Sequence, residues 1–338
     1  GGENLLLNFN ETYPTSEYKN KGFMEAGNYY YNNGRPATSL KWFEKASPKY
    51  LTRKEEEAYN FKMGYALFSN KKYTEAKQYF LPLTYSEDYL DQANYYYGYI
   101  SYLQRDYTTA EKYFNKLEGN KRYHKEILYY RMNIEFQKKN FKEAIQIGND
   151  VLKLARKKEV SEISKIIGES HFYLENYKEA IIYLKKYKGR KNRLSIEDHY
   201  FLGYSYFKVK DYKNAIVRFN KITKANNEVA QNAHYHLAAC YLELDKKSEA
   251  LNAFKNSSEL NFNEQIKEDA AYNYAKISYE IGNPYQSSAE VLQEYVVNYA
   301  TSLNAKEINT LIIDTYESSR DFEGALNYFE KRDLTKDK

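Results

Sequence analysis

The chain has 338 residues, 29% of them charged and 42% apolar, a balance suited to a folded core. Lys and Arg number 51 against 46 Asp and Glu, a net charge of +5 that reads as spread along the chain and is too small to predict nucleic-acid binding by itself. No apolar run approaches the roughly 18 residues of a membrane span, and the single cysteine, Cys240, excludes an internal disulfide.

The chain opens with Gly1-Gly2, which reads as a cloning scar, so a native leader upstream is an expectation. "NLLLNFNETYPTS" then reads as a helix stopped by Pro14, with Ser16 placed to cap the next one. Residues 1–14 are therefore expected to be the second helix of a truncated repeat. From residue 15 to 333 the chain repeats itself about nine times. A small residue marks each repeat: Ser39, Ala76, Ala110, Ala144, Ala180, Ala215, Ala250, Ala289 and Ala325, at spacings of 34 to 39 residues.

Each repeat has the same internal grammar. Twelve residues before the small anchor stands Gly or Ala, as at Gly27, Gly64, Gly98, Gly168, Gly203 and Ala238. Four residues after it stands a large apolar one, as at Phe43, Phe80, Phe114, Leu184, Phe219 and Phe254. A polar turn such as "SNKKY", "QRDY", "LENY" or "KVKDY" lies between. The spacing predicts two antiparallel helices whose small residues allow close approach, with the aromatic filling space beneath the next repeat. Glycine inside a helix costs on the order of 1 kcal/mol relative to Ala, so recurrence at one register points to packing, and mid-helix placement argues against a phosphate loop. Repeat 4 departs, with Met132 and Gly148 at the two packing positions, and "GNPYQSS" in repeat 8 predicts a longer turn.

"NFKMGYALFSNKKYTEAKQYF" (60–80) and "HYFLGYSYFKVKDYKNAIVRF" (199–219) resemble the tetratricopeptide repeat, whose signature is W-x2-L-G-x2-Y, then A-x3-F, then P. The resemblance implies an all-α fold, a right-handed superhelical solenoid over residues 1–338, cut from a longer protein. "YPTSEYKNKGFMEAGNYYYNNGRPATSLKWFEK" also resembles repeats of outer-membrane assembly and Tol–Pal accessory proteins, and the Tyr- and Lys-rich style resembles large envelope proteins of Bacteroidetes. That implies a periplasmic or outer-membrane-associated scaffold, with the cytoplasm as the alternative location and a missing leader as the route to any membrane anchoring.

The 40 tyrosines bear on function. With the Gly of each repeat numbered 8 and the anchor 20, positions 5, 9 and 12 fall on one face of the first helix. The family implies that this face lines a concave groove. Tyr65 and Phe68 stand there in repeat 2, Tyr95, Tyr99 and Tyr102 in repeat 3, Tyr129 and Asn133 in repeat 4, and Tyr200 and Tyr204 in repeat 6. These nine residues are the candidate partner-binding set; packing on the next repeat's first helix is the competing reading. Tyr suits both, because its body is apolar and its hydroxyl stays wet. The expected partner is a protein or peptide segment, with a glycan as the alternative; a further alternative is that the chain is the targeting arm of a larger protein whose other domains are missing. Turn residues Tyr73, Tyr107, Tyr177 and Tyr212 read as structural.

No nucleic acid is expected. The best basic run, "KKYKGRKNR" (185–193), carries six positive charges and reads as a solvated loop between repeats. A carboxylate clamp of Lys and Asn on successive first helices is not matched by Met24, Asn28, Phe61, Lys62, Tyr95 and Tyr96. No catalytic or metal-binding motif occurs, and no cofactor is implied. His234 and His236 stand two apart on a helix and point away from one another. His199 and His234 read as packing residues and Cys240 as a buried small one. The chain reads as non-enzymatic.

Overall fold

The computed structural model describes residues 2–16 and 18–333. Among these residues it has nineteen α-helices, one short 3-10 turn (Pro48–Tyr50) and no β-strand. Two compact bodies divide in sequence after Leu154. The first holds α1 (Gly2–Thr12) and four hairpins: α2 (Tyr18–Asn32) with α3 (Pro36–Phe43), α4 (Arg53–Ser69) with α5 (Tyr73–Leu83), α6 (Leu90–Leu103) with α7 (Tyr107–Asn115), and α8 (His124–Gln137) with α9 (Phe141–Leu154). The second holds five: α10 (Val160–Tyr173) with α11 (Tyr177–Leu184), α12 (Ile196–Lys208) with α13 (Tyr212–Phe219), α14 (Glu228–Glu243) with α15 (Lys247–Ser258), α16 (Glu264–Ile281) with α17 (Ser288–Asn298), and α18 (Ala305–Ser319) with α19 (Phe322–Asp333). Within each body a second helix packs on the next repeat's first helix, as α5 does on α6 and α13 on α14. First helices also touch one another, as α12 does α14 and α14 does α16.

One turn geometry recurs. The residue at position 15 has left-handed backbone in Gly34, Lys71, Arg105, Lys139, Glu175, Lys210, Asp245 and Arg320. The next N–H then reaches back five residues, as from Asp106 to the Ser101 carbonyl at 2.9 Å and from Asp211 to the Tyr206 carbonyl at 2.9 Å. This satisfies a carbonyl that the ending helix would leave open. Asp106 and Asp211 then cap the following helix, accepting from the Thr109 and Asn214 N–H groups. One three-residue unit both ends one helix and starts the next, so the hairpin angle is fixed locally. The aromatic after it lies on position 12: Tyr73 on Phe68, Tyr107 on Tyr102, Tyr177 on Phe172 and Tyr212 on Phe207, with ring centres 5.8 to 6.2 Å apart.

The packing positions differ from expectation in one respect. The aromatic four residues after the anchor sits first on the glycine of its own repeat. A Cβ on Gly64 would lie 3.0 Å from the Phe80 ring, and one on Gly27 would lie 2.4 Å from Phe43. The seven anchors from Ser39 to Ala250 are fully buried, and Ser39 donates from its hydroxyl to the Gly27 carbonyl at 2.9 Å. In repeat 4 large and small exchange places: Met132 is fully buried on α8, and Gly148 is buried on α9. Repeat 8 breaks register. Its turn runs through Gly282 in the left-handed region, the Ser288 hydroxyl donates to the Ser278 carbonyl, and Ala289 is left half-buried.

A second ring locks neighbouring repeats together. Position 6 of the following first helix inserts among positions 5, 9 and 12 of the preceding one. Tyr96 lies 5.1 Å from Phe80, 5.3 Å from Phe68 and 5.7 Å from Tyr65. Tyr130 lies 4.8 Å from Tyr99, 5.1 Å from Tyr102 and 5.7 Å from Phe114. In the second body His236 lies 4.9 Å from Tyr204, 5.2 Å from Phe207 and 6.0 Å from Phe219. Burial among these rings pushes the His236 imidazole down to about 4.

Three outcomes follow from this packing. Ala at Gly64 should be near neutral, because its tight contact is offset by about 1 kcal/mol of helix propensity, whereas Ala at Gly27 should lower the melting temperature clearly; equal effects would contradict the contact geometry. Met132→Gly and Gly148→Phe should each destabilise by about 2 kcal/mol or more, and the double substitution should recover part of the loss in chemical denaturation. The depressed His236 pKa makes stability full above the ordinary histidine value and lost as pH falls from 6.5 toward 4, since only the unfolded chain takes the proton there. His236→Phe should therefore retain on the order of 2 kcal/mol of what the parent loses between neutral pH and pH 5, measured as the difference in urea midpoints.

Candidate functional site

Seven of the nine candidate residues lie in the first body: Tyr65 and Phe68 on α4, Tyr95, Tyr99 and Tyr102 on α6, and Tyr129 and Asn133 on α8. All seven are half-buried. Five form one run of rings. Tyr65 lies 6.4 Å from Phe68, Phe68 lies 5.8 Å from Tyr99, and Tyr99 lies 6.1 Å from Tyr95 and 6.3 Å from Tyr102. Tyr129 joins through Tyr130, at 5.9 Å. Asn133 turns its amide inward, donating to the Tyr129 carbonyl at 2.8 Å, so its nitrogen is already engaged.

Tyr200 and Tyr204 belong to the second body, on α12. There they form a separate stripe with Phe172, Phe207 and His236. Further along, hydroxyls on this face are tied to the next repeat. Tyr235 bonds Asp269 at 3.3 Å, Tyr272 bonds Glu307 at 2.6 Å, and Tyr279 bonds Asp314.

Position 5 is the least available. The Tyr123 ring stacks on Tyr95 at 4.6 Å, and Tyr89 stacks on Phe61 at 4.9 Å. Positions 9 and 12 have one ring edge against the wedge of the next repeat. Burial raises the Tyr95 and Tyr200 phenols, pushes Tyr102 up to about 12 and takes Tyr96 and Tyr130 higher still. These five hydroxyls therefore stay neutral donors and acceptors near neutral pH.

Beside the run, a cavity of about 1100 Å³ opens between α2 and α4, with Lys19, Met24, Asn28, Glu55, Tyr59 and Lys62 among its lining. Lys62 is poised at its edge: its ammonium donates to the Asn28 amide oxygen at 2.7 Å and lies 5.8 Å from the centre of the Tyr31 ring. Burial lowers the Lys62 pKa. Tyr31 in turn lies 5.6 Å from Tyr65. The cavity and the rings thus form one surface across repeats 1 to 3.

Sequence reasoning missed two features. One is the position-6 wedge, signalled only by aromatic Tyr96, Tyr130 and Phe201 at a shared register. The other is a charged cluster that replaces aromatics at positions 5 and 9 of repeat 5. Lys165 lies 2.8 Å from Asp198 and 3.5 Å from Glu169. Burial pushes the Glu169 carboxyl up to about 7, against the pull of Lys165. Burial opposes the Lys165 charge, but its bonds to Asp198 and Glu169 hold it above the usual lysine value. The spacing Lys165-x3-Glu169 was the available signal. Among the described residues no group of His, Cys, Asp and Glu could hold a metal ion, and no helix is long and apolar enough to cross a membrane. His234 and Cys240 are buried, and burial pushes the Cys240 thiol up to about 12.

A tetratricopeptide-repeat family model matches residues 61–124, and the model of anaphase-promoting complex, cyclosome, subunit 3 matches residues 190–257. No curated protein matches the chain. Among solved structures, a tetratricopeptide repeat protein from Parabacteroides merdae ATCC 43184 is 14% identical, covering 75% of this chain and 98% of its own, with a TM-score of 0.46. YrrB, a tetratricopeptide-repeat protein with an unusual peptide-binding site, is 18% identical, covering 58% of this chain and 97% of its own, also at 0.46. Residues 61–124 thus match the tetratricopeptide repeat, and the same small-over-aromatic hairpin with its left-handed turn residue recurs along the chain, giving it a tetratricopeptide-repeat fold.

Proposed function

We propose that the chain is a non-enzymatic scaffold that docks a peptide or protein segment along the first helices of repeats 1 to 3. The observation that carries this reading is the cavity between α2 and α4 running onto the half-buried rings of Tyr31, Tyr65, Phe68, Tyr99 and Tyr102. Interfaces are enriched in such rings, which supply contact area at little loss of side-chain freedom. Here the wedges already hold them, so the ordering cost of binding is small. Lys62 and Asn28 add a polar pair at the cavity edge for a main-chain or side-chain oxygen of the segment. A place in the bacterial envelope is part of the same proposal and rests on the resemblance of the "YPTS" repeat opening.

The test must separate surface from packing. Lys62→Ala with Tyr65→Phe removes an ammonium at the cavity edge and a hydroxyl on the adjoining run of rings, and keeps the ring. Helicity and melting should be unchanged, while a peptide selected against the chain from a random display library should bind about tenfold more weakly. Tyr130→Ala, behind the surface, should instead lower stability by about 3 kcal/mol or more. Selected peptides that bind the first variant as tightly as the parent would place the docking surface elsewhere.

A further inference from the structure

We infer that the turn between α11 and α12 and the cavity beside it form a second binding site, for an acidic segment of a protein partner. The turn, Lys185 to Arg193, carries six of the 51 cations and no acid, leaving 45 Lys and Arg against 46 acids in the rest of the chain. The basic excess of the whole molecule is thus local to one turn, not spread along the chain as composition suggests.

The turn is built, not loose. Gly189 has left-handed backbone and folds tightly against Arg193, where a Cβ would meet the carbonyl oxygen at 2.0 Å. Arg193 N–H donates to the Arg190 carbonyl at 3.1 Å, and Lys188 N–H donates to the Ser161 hydroxyl at 3.1 Å. Lys165, held by Asp198 and Glu169, lies 4.7 Å from the centre of the Tyr187 ring and pins it.

A cavity of about 540 Å³ lies beside this turn. Leu184, Leu194 and Leu202 give it an apolar floor, and Lys185, Lys188 and Arg218 give it cationic walls. Tyr187 and Asn192 complete the lining, and no acidic side chain contributes. Among the described residues none of the turn cations, nor Arg218, makes an ion pair. The buried carboxylate of Asp198 is taken by Lys165 and by the Ser195 N–H at 2.8 Å. Uncompensated charge around an apolar floor complements a segment in which acidic residues flank an apolar one. Single-stranded nucleic acid is disfavoured, since it needs open rings for base stacking and a cationic track, whereas the Tyr187 ring is already capped. A membrane is disfavoured because the exposed turn offers no apolar anchor. The site is independent of the aromatic surface in the first body, so either can fail alone.

The experiment is fluorescence anisotropy with a labelled Glu- and Asp-rich peptide carrying one leucine, on the full chain. The parent should bind, more weakly as salt rises. Lys185→Ser, Lys188→Ser and Arg218→Gln together should weaken binding by about tenfold or more. Removing as many charges elsewhere, as Lys41→Ser, Lys54→Ser and Lys121→Ser, should change it by less than about twofold. Lys188→Ser with Arg190→Ser, confined to the exposed turn, gives a second readout that spares every helix and should also weaken binding. Equal loss in the two triple variants, or no binding by the parent, overturns the proposal. So does binding of oligo-dT or of phosphatidylserine vesicles through these residues without binding of the peptide.

Discussion

The structure depends on one repeated contact: in most repeats a large apolar side chain of the second helix, usually an aromatic ring, lies on a residue without bulk in the first. Phe80 on Gly64, Phe114 on Gly98 and Phe219 on Gly203 bring each pair of helices close enough to share a core. That approach leaves the far side of the ring free for the next repeat, where Tyr96, Tyr130 and His236 complete the stack. Each aromatic pair adds roughly 0.5–1.5 kcal/mol beyond the area it buries. Within each body the contacts run between neighbours in sequence, so stability accumulates repeat by repeat.

The wedge also accounts for how tyrosines can serve the core and still leave surface for the proposed docking site. A ring at position 9 or 12 is held on one side by the following repeat and is left half-buried. Tyr99 touches Tyr130 behind it and Phe68 and Tyr102 beside it. Packing and the proposed recognition are therefore compatible uses of one side chain. Where positions 5 and 9 carry Lys165 and Glu169 instead, the slot yields a buried ion cluster that steadies the basic turn.

Much of this was legible in the sequence. The period, the small anchors from Ser39 to Ala250 and the turn aromatics appear in the structure where spacing put them, because hairpin geometry is set by contacts a few residues apart. Repeat 8 was read as a longer turn, but not the loss of register at Ala289, since an insertion shows where a turn grows and not which residue then faces the partner helix. The wedge was missed because position 6 points between repeats, and first-helix periodicity alone cannot tell that direction from the groove. His236 illustrates the point: paired in sequence with His234, it reads as a polar residue, yet it occupies the slot that Tyr96 and Tyr130 fill elsewhere.

Composition misled on charge in the same way. A net charge of +5 reads as diffuse, but Lys and Arg along the helices are balanced by acids, many across repeats, as Lys138 is by Glu111 and Lys247 by Glu280. Among the described residues the inter-repeat turn from Lys185 to Arg193 has no such ion-pair partner, and its backbone bonds and the pinned Tyr187 hold its shape. Holding like charges together costs free energy that a purely connecting loop would shed by substitution to Ser or Asn. A rigid, uncompensated cationic turn around an apolar cavity therefore makes physical sense as a surface that is compensated from outside, by a ligand bringing the opposite charge.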